Sequence, residues 1–447
     1  MKLGGFFSAK IFPILLVNFI GILGYSIVVP ILIFIVTDLG GNGFIYGLLG
    51  ATYPFFQFIG APILGRLSDK IGRKKVLVIS QAGTFAAWLL FLLAFMLPEV
   101  TFWEQNTEVT GNYVMTLPLA VIFIARVFDG FTGGNVSVAN AYLSDISTDE
   151  DRKKNFGKMG ASTSLGFVLG PAVAGLLAST IFGESLPVLL AAIISLIAII
   201  VISTQLKESN PCVVDTGGVS LKSIRRMFQV EHKECYEEGR EDFPDNNASR
   251  FKNLLKIDGI PLLYSIYFLT FLAFSLFYAG LPIYASTGLN WTAVDLGIFL
   301  AYSSLIMILV QGPLLSKLSG TYSSNQLILI GSLLLAIGFT LLMNKQLIFI
   351  YTGNTLLSIG NGLMWPSFLA ILSSTGTKRL QGAIQGYGNS MGSVASMIGL
   401  ILGGLLFETI TTAVFVIGGG IFAIIALLMI IHSMKHRKVH SSSPVIN

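Results

Sequence analysis

Long apolar stretches alternate with short polar ones from end to end of the 447-residue chain. A helix of about twenty apolar residues crosses a ~30 Å hydrocarbon core. Runs of that size fall at 11–36, 43–65, 76–98, 117–143, 157–182, 186–206, 260–284, 294–316, 326–343, 346–371, 382–407 and 411–432. They predict twelve transmembrane helices, spans 1 to 12. Strands of a membrane barrel would instead be ~10-residue segments of alternating polarity. The first run is longer than the ~7–15-residue core of a signal peptide, and no small-residue cleavage pattern follows it, so a retained helix is expected. The longest polar stretch, 207–257, divides the spans six and six. The fold class expected is an all-α membrane protein of twelve transmembrane helices in two six-helix pseudo-repeats. Its parts are a first bundle at 1–206, a linker at 207–257, a second bundle at 258–434 and a tail at 435–447.

Composition agrees. Hydrophobic residues make up 53% and charged residues 11%, against ~25% charged in soluble domains. Such a chain cannot cover a water-facing surface. A soluble enzyme, a secreted disulfide scaffold and a disordered regulator are excluded, and the lipid bilayer is its solvent. The net charge of +5 is not a nucleic-acid signal, because the charges sort by side. An even number of spans puts both termini on one side, and every Lys and Arg except Arg126 and Lys345 falls there. The positive-inside rule makes that side cytoplasmic. The expected location is a cell membrane, bacterial inner or plasma, with linker and tail inside.

Within the linker, acidic and basic residues balance. Leu221, Ile224 and Phe228 share a helical face, as do Phe251, Leu254 and Leu255, which predicts short amphipathic helices on the inner leaflet. The stretch 231–248 reads as a tether. Cys212 and Cys235 are expected as reduced thiols. His232 and Cys235 have ligand-like spacing but lack two further ligands, so no metal and no cofactor is expected.

The halves repeat. Pro30 has a counterpart in Pro282, and APILGRLSD at 61–69 is echoed by GPLLSKLSG at 312–320, at nearly the same offset. The segment 157–177 of span 5 aligns with 386–406 of span 11. Two halves in the same orientation predict a parallel repeat with a substrate site between them.

Three motifs carry chemistry. At the end of span 2 stands Gly65-Arg66-Leu67-Ser68-Asp69-Lys70-Ile71-Gly72-Arg73-Lys74-Lys75. Gly65 permits close helix approach, Gly72 a tight turn, and Arg73 reaches for a carboxylate. Span 4 holds Arg126 followed at i+4 by Gly130, and span 5 holds Gly166, Gly170, Pro171 and Gly175. The span-2 sequence resembles the signature loop of the major facilitator superfamily. The span-4 and span-5 sequences resemble that superfamily's intramembrane-Arg motif and the motif of its antiporters. From Arg126 through Ala141-Tyr142-Leu143-Ser144-Asp145-Ile146 to Gly175, and again at Asn290-Trp291 and Gln381 to Gly386, the chain is similar to tetracycline/proton antiporters and their multidrug relatives. The resemblance covers the chain apart from 99–116 and 207–257. It implies that Gly65, Asp69, Gly72 and Arg73, with Asp145 as the acidic partner of Arg73, form a conformational-switch loop. It also implies that spans 1, 4, 7 and 10 line a cavity. Two positions depart from the pattern: Gly21 replaces the span-1 acid of the tetracycline exporters, and Gly320 stands in the second half where Asp69 stands in the first.

Arg126 and Asp129 are the charged residues deep within a span, three apart on one helical face. Intramembrane charges are costly and serve a pathway or a partner. Burial favours the neutral form of a carboxyl and a guanidinium the ionised form, so this pair is the candidate for proton coupling. Candidate substrate-cavity residues are Asn18, Tyr25, Asn135, Tyr278, Asn361 and Trp365. The expectation is a monomeric secondary transporter that exchanges protons for small amphipathic compounds by alternating access. The alternatives are a proton symporter or facilitator for a metabolite, and a non-transporting receptor or scaffold. Neither paired carboxylates nor a His cluster nor a phosphate-binding loop points to an enzyme.

Overall fold

The structure, a computed structural model, describes residues 11–209, 252–257, 259–375 and 381–441. Among these, twelve helices are long and apolar enough to cross a membrane. Spans 1 to 6 are Phe12–Asp38, Gly43–Ile71, Arg73–Ala94, Leu117–Asp145, Lys158–Ala178 and Ser185–Gln205. Spans 7 to 12 are Ile260–Gly288, Ala293–Leu318, Ser324–Leu341, Leu347–Leu372, Ile384–Ile410 and Ala413–Ile431. Each overlaps the run that predicts it, and the chain is a multi-pass membrane protein.

The spans are interrupted where the sequence removes a hydrogen bond or a side chain. Pro30 lies in a turn between Phe12–Val28 and Leu32–Asp38, because proline supplies no N–H. Span 4 breaks at Gly134. Span 7 ends in a π-turn at Tyr284–Gly288 just after Pro282, and span 8 holds another at Val310–Leu314 around Pro313.

One element is not helical. Residues Thr101–Thr107 (β1) and Gly111–Thr116 (β2) pair as a two-stranded hairpin between spans 3 and 4. The predicted amphipathic faces at 221–228 and the tether at 231–248 lie outside the described residues. So do Cys212, Cys235 and His232, and residues 252–254 form one helical turn.

Contacts divide the chain into two compact units. The first comprises residues up to 31, then 52–102 and 116–250; the second comprises 32–51, 103–115 and 251–447. The first cut falls at the Pro30 break. The hairpin and the adjoining ends of spans 1 and 2 therefore belong with spans 7 to 12.

In the first unit, span 1 packs on spans 5 and 6, and span 3 on spans 4 and 6. In the second, span 7 packs on spans 11 and 12, and span 9 on spans 10 and 12. Renumbering by six turns one list into the other, the internal repeat expressed as packing. Small residues set the spacing in both. A Cβ on Gly170 of span 5 would lie 2.7 Å from Ser26 Cβ, and one on Gly399 of span 11 would lie 2.7 Å from Ser275 Cβ. Gly170 and Gly399 are aligned positions of the repeat. Beneath the span 1–span 5 seam, Ile14, Leu15, Val76, Leu77, Val138, Leu143 and Ile202 form a closed apolar cluster.

Candidate functional site

Span 4 positions the charged pair. Arg126, Asp129, Gly130 and Gly133 share its buried face, and the glycines let span 2 come close. A Cβ on Gly130 would lie 3.0 Å from Tyr53 Cα, and one on Gly133 would lie 3.0 Å from Tyr53 Cζ. Arg126 is 2% exposed and Asp129 4%. Arg126 Nη1 donates to Asp129 Oδ2 at 3.4 Å, a long contact. The guanidinium lies against two rings of span 3, 5.2 Å from the centre of Trp88 and 5.7 Å from that of Phe91. Its Nε–H and the Trp88 Nε1–H are buried without a hydrogen-bond partner. The Thr84 side chain adds a hydrogen bond to Asp129. The arginine is held by aromatic faces and only loosely by its carboxylate, which keeps the carboxylate available to a second partner.

Asp129 opens onto a cavity of about 60 Å³ inside the first unit. Tyr25 and Asn18 of span 1, Tyr53 of span 2, Gln81 and Trp88 of span 3, and Asn135 of span 4 share its wall; Arg126 does not. The space is large enough to admit water and small beside the ~300–1,000 Å³ pockets of drug-sized ligands. Tyr25 and Tyr53 pack ring to ring at 4.6 Å, with Phe167 edge-on to Tyr25 at 6.3 Å. Asn18 Nδ2 donates to Ser162 Oγ at 2.7 Å and Thr163 Oγ1 at 2.8 Å, tying span 1 to span 5.

The structure thus brings together Asp129, Asn18, Tyr25 and Asn135 of the predicted residues. Sequence reasoning missed Tyr53, Gln81, Thr84 and Trp88. The last three stand at i, i+3 and i+7 on span 3, one helical stripe, and that spacing was the available signal.

The span-5 glycines serve packing. Gly166 and Gly170 press on span 1, where Ser26 Oγ donates to Gly166 O at 2.8 Å. Gly175 is buried, and the helix continues through Pro171.

Three predicted residues lie in the second unit. Trp365 meets Tyr267 and Phe271 edge-on at 5.3 and 5.4 Å and stacks on Phe368 at 5.6 Å. Tyr267 donates to Asn389 Oδ1 at 2.7 Å. Asn361 Nδ2 points to Met307 Sδ at 3.7 Å. Tyr278 stands apart from the Trp365 cluster, 45% exposed, with its carbonyl accepting from the Tyr46 hydroxyl.

The signature loop forms a closed network in the first unit. Arg73 is 6% exposed. Its Nη1 contacts Asp69 Oδ1 at 2.7 Å and donates to Ser68 Oγ at 2.6 Å, and its Nε donates to Asp145 Oδ2 at 3.2 Å. Ser68 Oγ donates to Gly65 O at 2.7 Å. Residues just past span 6 join in. Glu208 accepts from the backbone N–H of Arg73 at 2.8 Å and of Lys74 at 3.1 Å, and Ser209 Oγ donates to Asp145 Oδ2 at 3.0 Å. Among the described residues no group of three His, Cys, Asp or Glu is placed to hold a metal ion.

The chain matches the family model of the Major Facilitator Superfamily over residues 14–311 and 263–444. It is 26% identical over 411 residues to multidrug resistance protein 2 of Bacillus subtilis, covering 89% of both proteins. It is 25% identical over 382 residues to the class C tetracycline resistance protein of Escherichia coli, covering 85% of both. Its fold is similar to that of a D-xylose–proton symporter, with a TM-score of 0.69 at 15% identity, over 94% of this chain and 97% of that one. A human organic anion transporter superposes with a TM-score of 0.63 at 18% identity, over 94% of this chain and 99% of that one.

Proposed function

The chain belongs to the major facilitator superfamily, and on that premise we propose that it exports small amphipathic compounds by alternating access, in exchange for protons. The relatives named for multidrug and tetracycline resistance favour export. Both termini face the cytoplasm in this reading, on the strength of the Lys and Arg distribution. The signature loop is then inside and the β1–β2 hairpin outside. The transporter works as a monomer in the cell membrane.

The observation that carries the proposal is the loosely tied Arg126–Asp129 pair, with its carboxylate facing a water-sized cavity. An antiporter needs a group that accepts a proton on one side and releases it on the other. Asp129 is that group, and waters in the cavity bring the proton to it. Protonation releases Arg126, whose orphaned Nε–H then has use for a new acceptor. Candidate substrate contacts lie in each unit taken by itself, Tyr25 and Asn135 in the first, Asn361 and the aromatic cluster around Trp365 in the second. The network of Asp69, Arg73 and Asp145 ties the signature-loop ends of spans 2, 3 and 4 to one another and in this reading stabilises the inward-closed state.

Asp129→Asn mimics the protonated acid. In proteoliposomes it is expected to abolish export driven by a pH gradient while substrate binding and counterflow persist. Full gradient-driven export by this variant overturns the assignment. Lost expression that is restored by also removing the Arg126 charge would make the pair structural instead.

A further inference from the structure

A carboxylate from span 11 sits on the first turn of span 2, at the hairpin end of the second unit. Span 2 begins at Gly43, and the first N–H groups of a helix have no acceptor within it. Asn42 supplies one, its Oδ1 accepting from the Ile45 N–H at 3.1 Å. Glu408 supplies another, its Oε1 accepting from the Gly43 N–H at 2.8 Å. A negative charge there also meets the positive end of the helix dipole.

Glycines make the approach possible. A Cβ on Gly43 would lie 2.7 Å from the same carboxylate oxygen, and one on Gly47 would lie 3.1 Å from Gly404 Cα of span 11. The hairpin covers the contact. Asn42 Nδ2 donates to Thr110 O at 2.6 Å, and the Val114 N–H donates to Gly40 O at 2.8 Å. At the edge of β2, Gly111 has a φ of 70°. A Cβ there would lie 3.1 Å from Glu408 Oε2.

We propose that Glu408 is a positioning residue for the transport cycle, a latch that holds the hairpin ends of spans 2 and 11 together in the outward-closed state, with the hairpin as its cover. This rests on the reading above, alternating access with the hairpin outside. Glycine contacts give the seam its shape but would tolerate many registers. The charged acceptor selects one register, and it releases readily. When the spans part, water takes the place of Glu408 on Gly43 and rehydrates the carboxylate. No covalent rearrangement is needed, and the hairpin lifts with the outer end of span 2.

The test uses the full-length transporter with Cys212 and Cys235 replaced by Ser. Gly50→Cys is the reporter: its Cβ meets only Leu400 methyls, at 3.6 and 3.7 Å, so it fits and is shielded by span 11. Glu108→Cys, exposed at the hairpin turn, reports sidedness. Both are labelled with a membrane-impermeant thiol reagent in right-side-out and inverted vesicles. The latch is judged in whichever preparation labels Glu108→Cys, so an error in orientation is read separately. Glu408→Ala is expected to speed reporter labelling about tenfold, the weight of one charge-assisted hydrogen bond. Glu408→Gln keeps an acceptor and is expected to fall between, with both variants lowering the export rate. Should Glu408→Ala fail to reach the membrane, Gly111→Ala displaces the cover and is expected to act in the same direction. Equal labelling across these backgrounds, at normal membrane levels, overturns the proposal.

Discussion

Gly72 and Glu208 are predicted to be energetically coupled, and the structure sets the size of the effect. Gly72 precedes span 3 with φ 107° and ψ 148°, a conformation essentially confined to glycine, which costs other residues about 1–3 kcal/mol. A Cβ added there would overlap the Glu208 carboxylate, whose carbon would lie only 2.8 Å away. That side chain is flexible and would swing aside. In doing so it would give up the N–H groups of Arg73 and Lys74, a helix cap worth about 1 kcal/mol at a solvent-exposed site. Gly72→Ala therefore costs the backbone strain plus the cap. Glu208→Ala costs the cap without the backbone strain. The double variant loses the cap only once, so it should be about 1 kcal/mol more stable than the sum of the singles, well outside the scatter of independent sites. The measurement is a rate of thermal inactivation in detergent, which gives the operational stability where unfolding is irreversible. The coupling should appear as an inactivation about fivefold slower than additivity demands. Additive inactivation rates, or a Glu208→Ala variant as durable as the parent, would refute the reasoning.

Asp69→Asn should leave folding nearly intact, because the Asp69 side chain is 47% exposed and such pairs contribute about 1 kcal/mol or less; Arg73 keeps Asp145. Spin-label distances across the signature-loop ends should shift toward the open state, and an unchanged distribution would sink the switch role. Gly170→Ala should destabilise the protein by about 1–3 kcal/mol through overpacking against Ser26. Gly420→Ala, whose added methyl meets nothing within 4 Å, should be neutral or gain up to about 1 kcal/mol. Equal thermal behaviour of the two would contradict the close-packed seam. Replacing 231–248 by a Gly/Ser linker of equal length should preserve transport, and lost activity at normal membrane levels would show that the segment is more than a tether.

The twelve spans are legible because lipid demands a long apolar helix and little else has that signature. Their ends are less so. Span 2 reads as ending at 65, yet its helix runs to Ile71 through the signature loop. Apolar content marks the bilayer edge, whereas the backbone hydrogen bonds continue into water. Span 3 likewise starts at Arg73, not 76, because Glu208 caps it there, a contact 135 residues away in sequence. The hairpin carries no strong alternation of polarity. It is seated by one backbone bond, from Val114 to Gly40, and by Asn42, and no local pattern encodes those. The charged pair of span 4 stands out because intramembrane charge is rare. Its uncharged neighbours Gln81, Thr84 and Trp88 sit within an apolar run and need the helical stripe, rather than composition, to be seen.

Glu208 and Glu408 use the same chemistry at different points of the fold. Each is a carboxylate at the start of a helix distant in sequence, and in each case a glycine leaves room for it. Their surroundings differ. Glu208 is exposed and Glu408 partly buried under the hairpin. Water and salt compete with the first contact more than with the second. One hydrogen bond therefore weighs more at the hairpin end, and the cover that raises its weight is also what must move for the bond to break. Asp129, by contrast, is deeply buried with one long contact to Arg126, where a buried charge is most sensitive to how well it is partnered. The glycine seams within each unit offer no such exchange. Gly170 on Ser26 and Gly399 on Ser275 are packed too closely for water to enter, so these two seams stay closed in the proposed cycle.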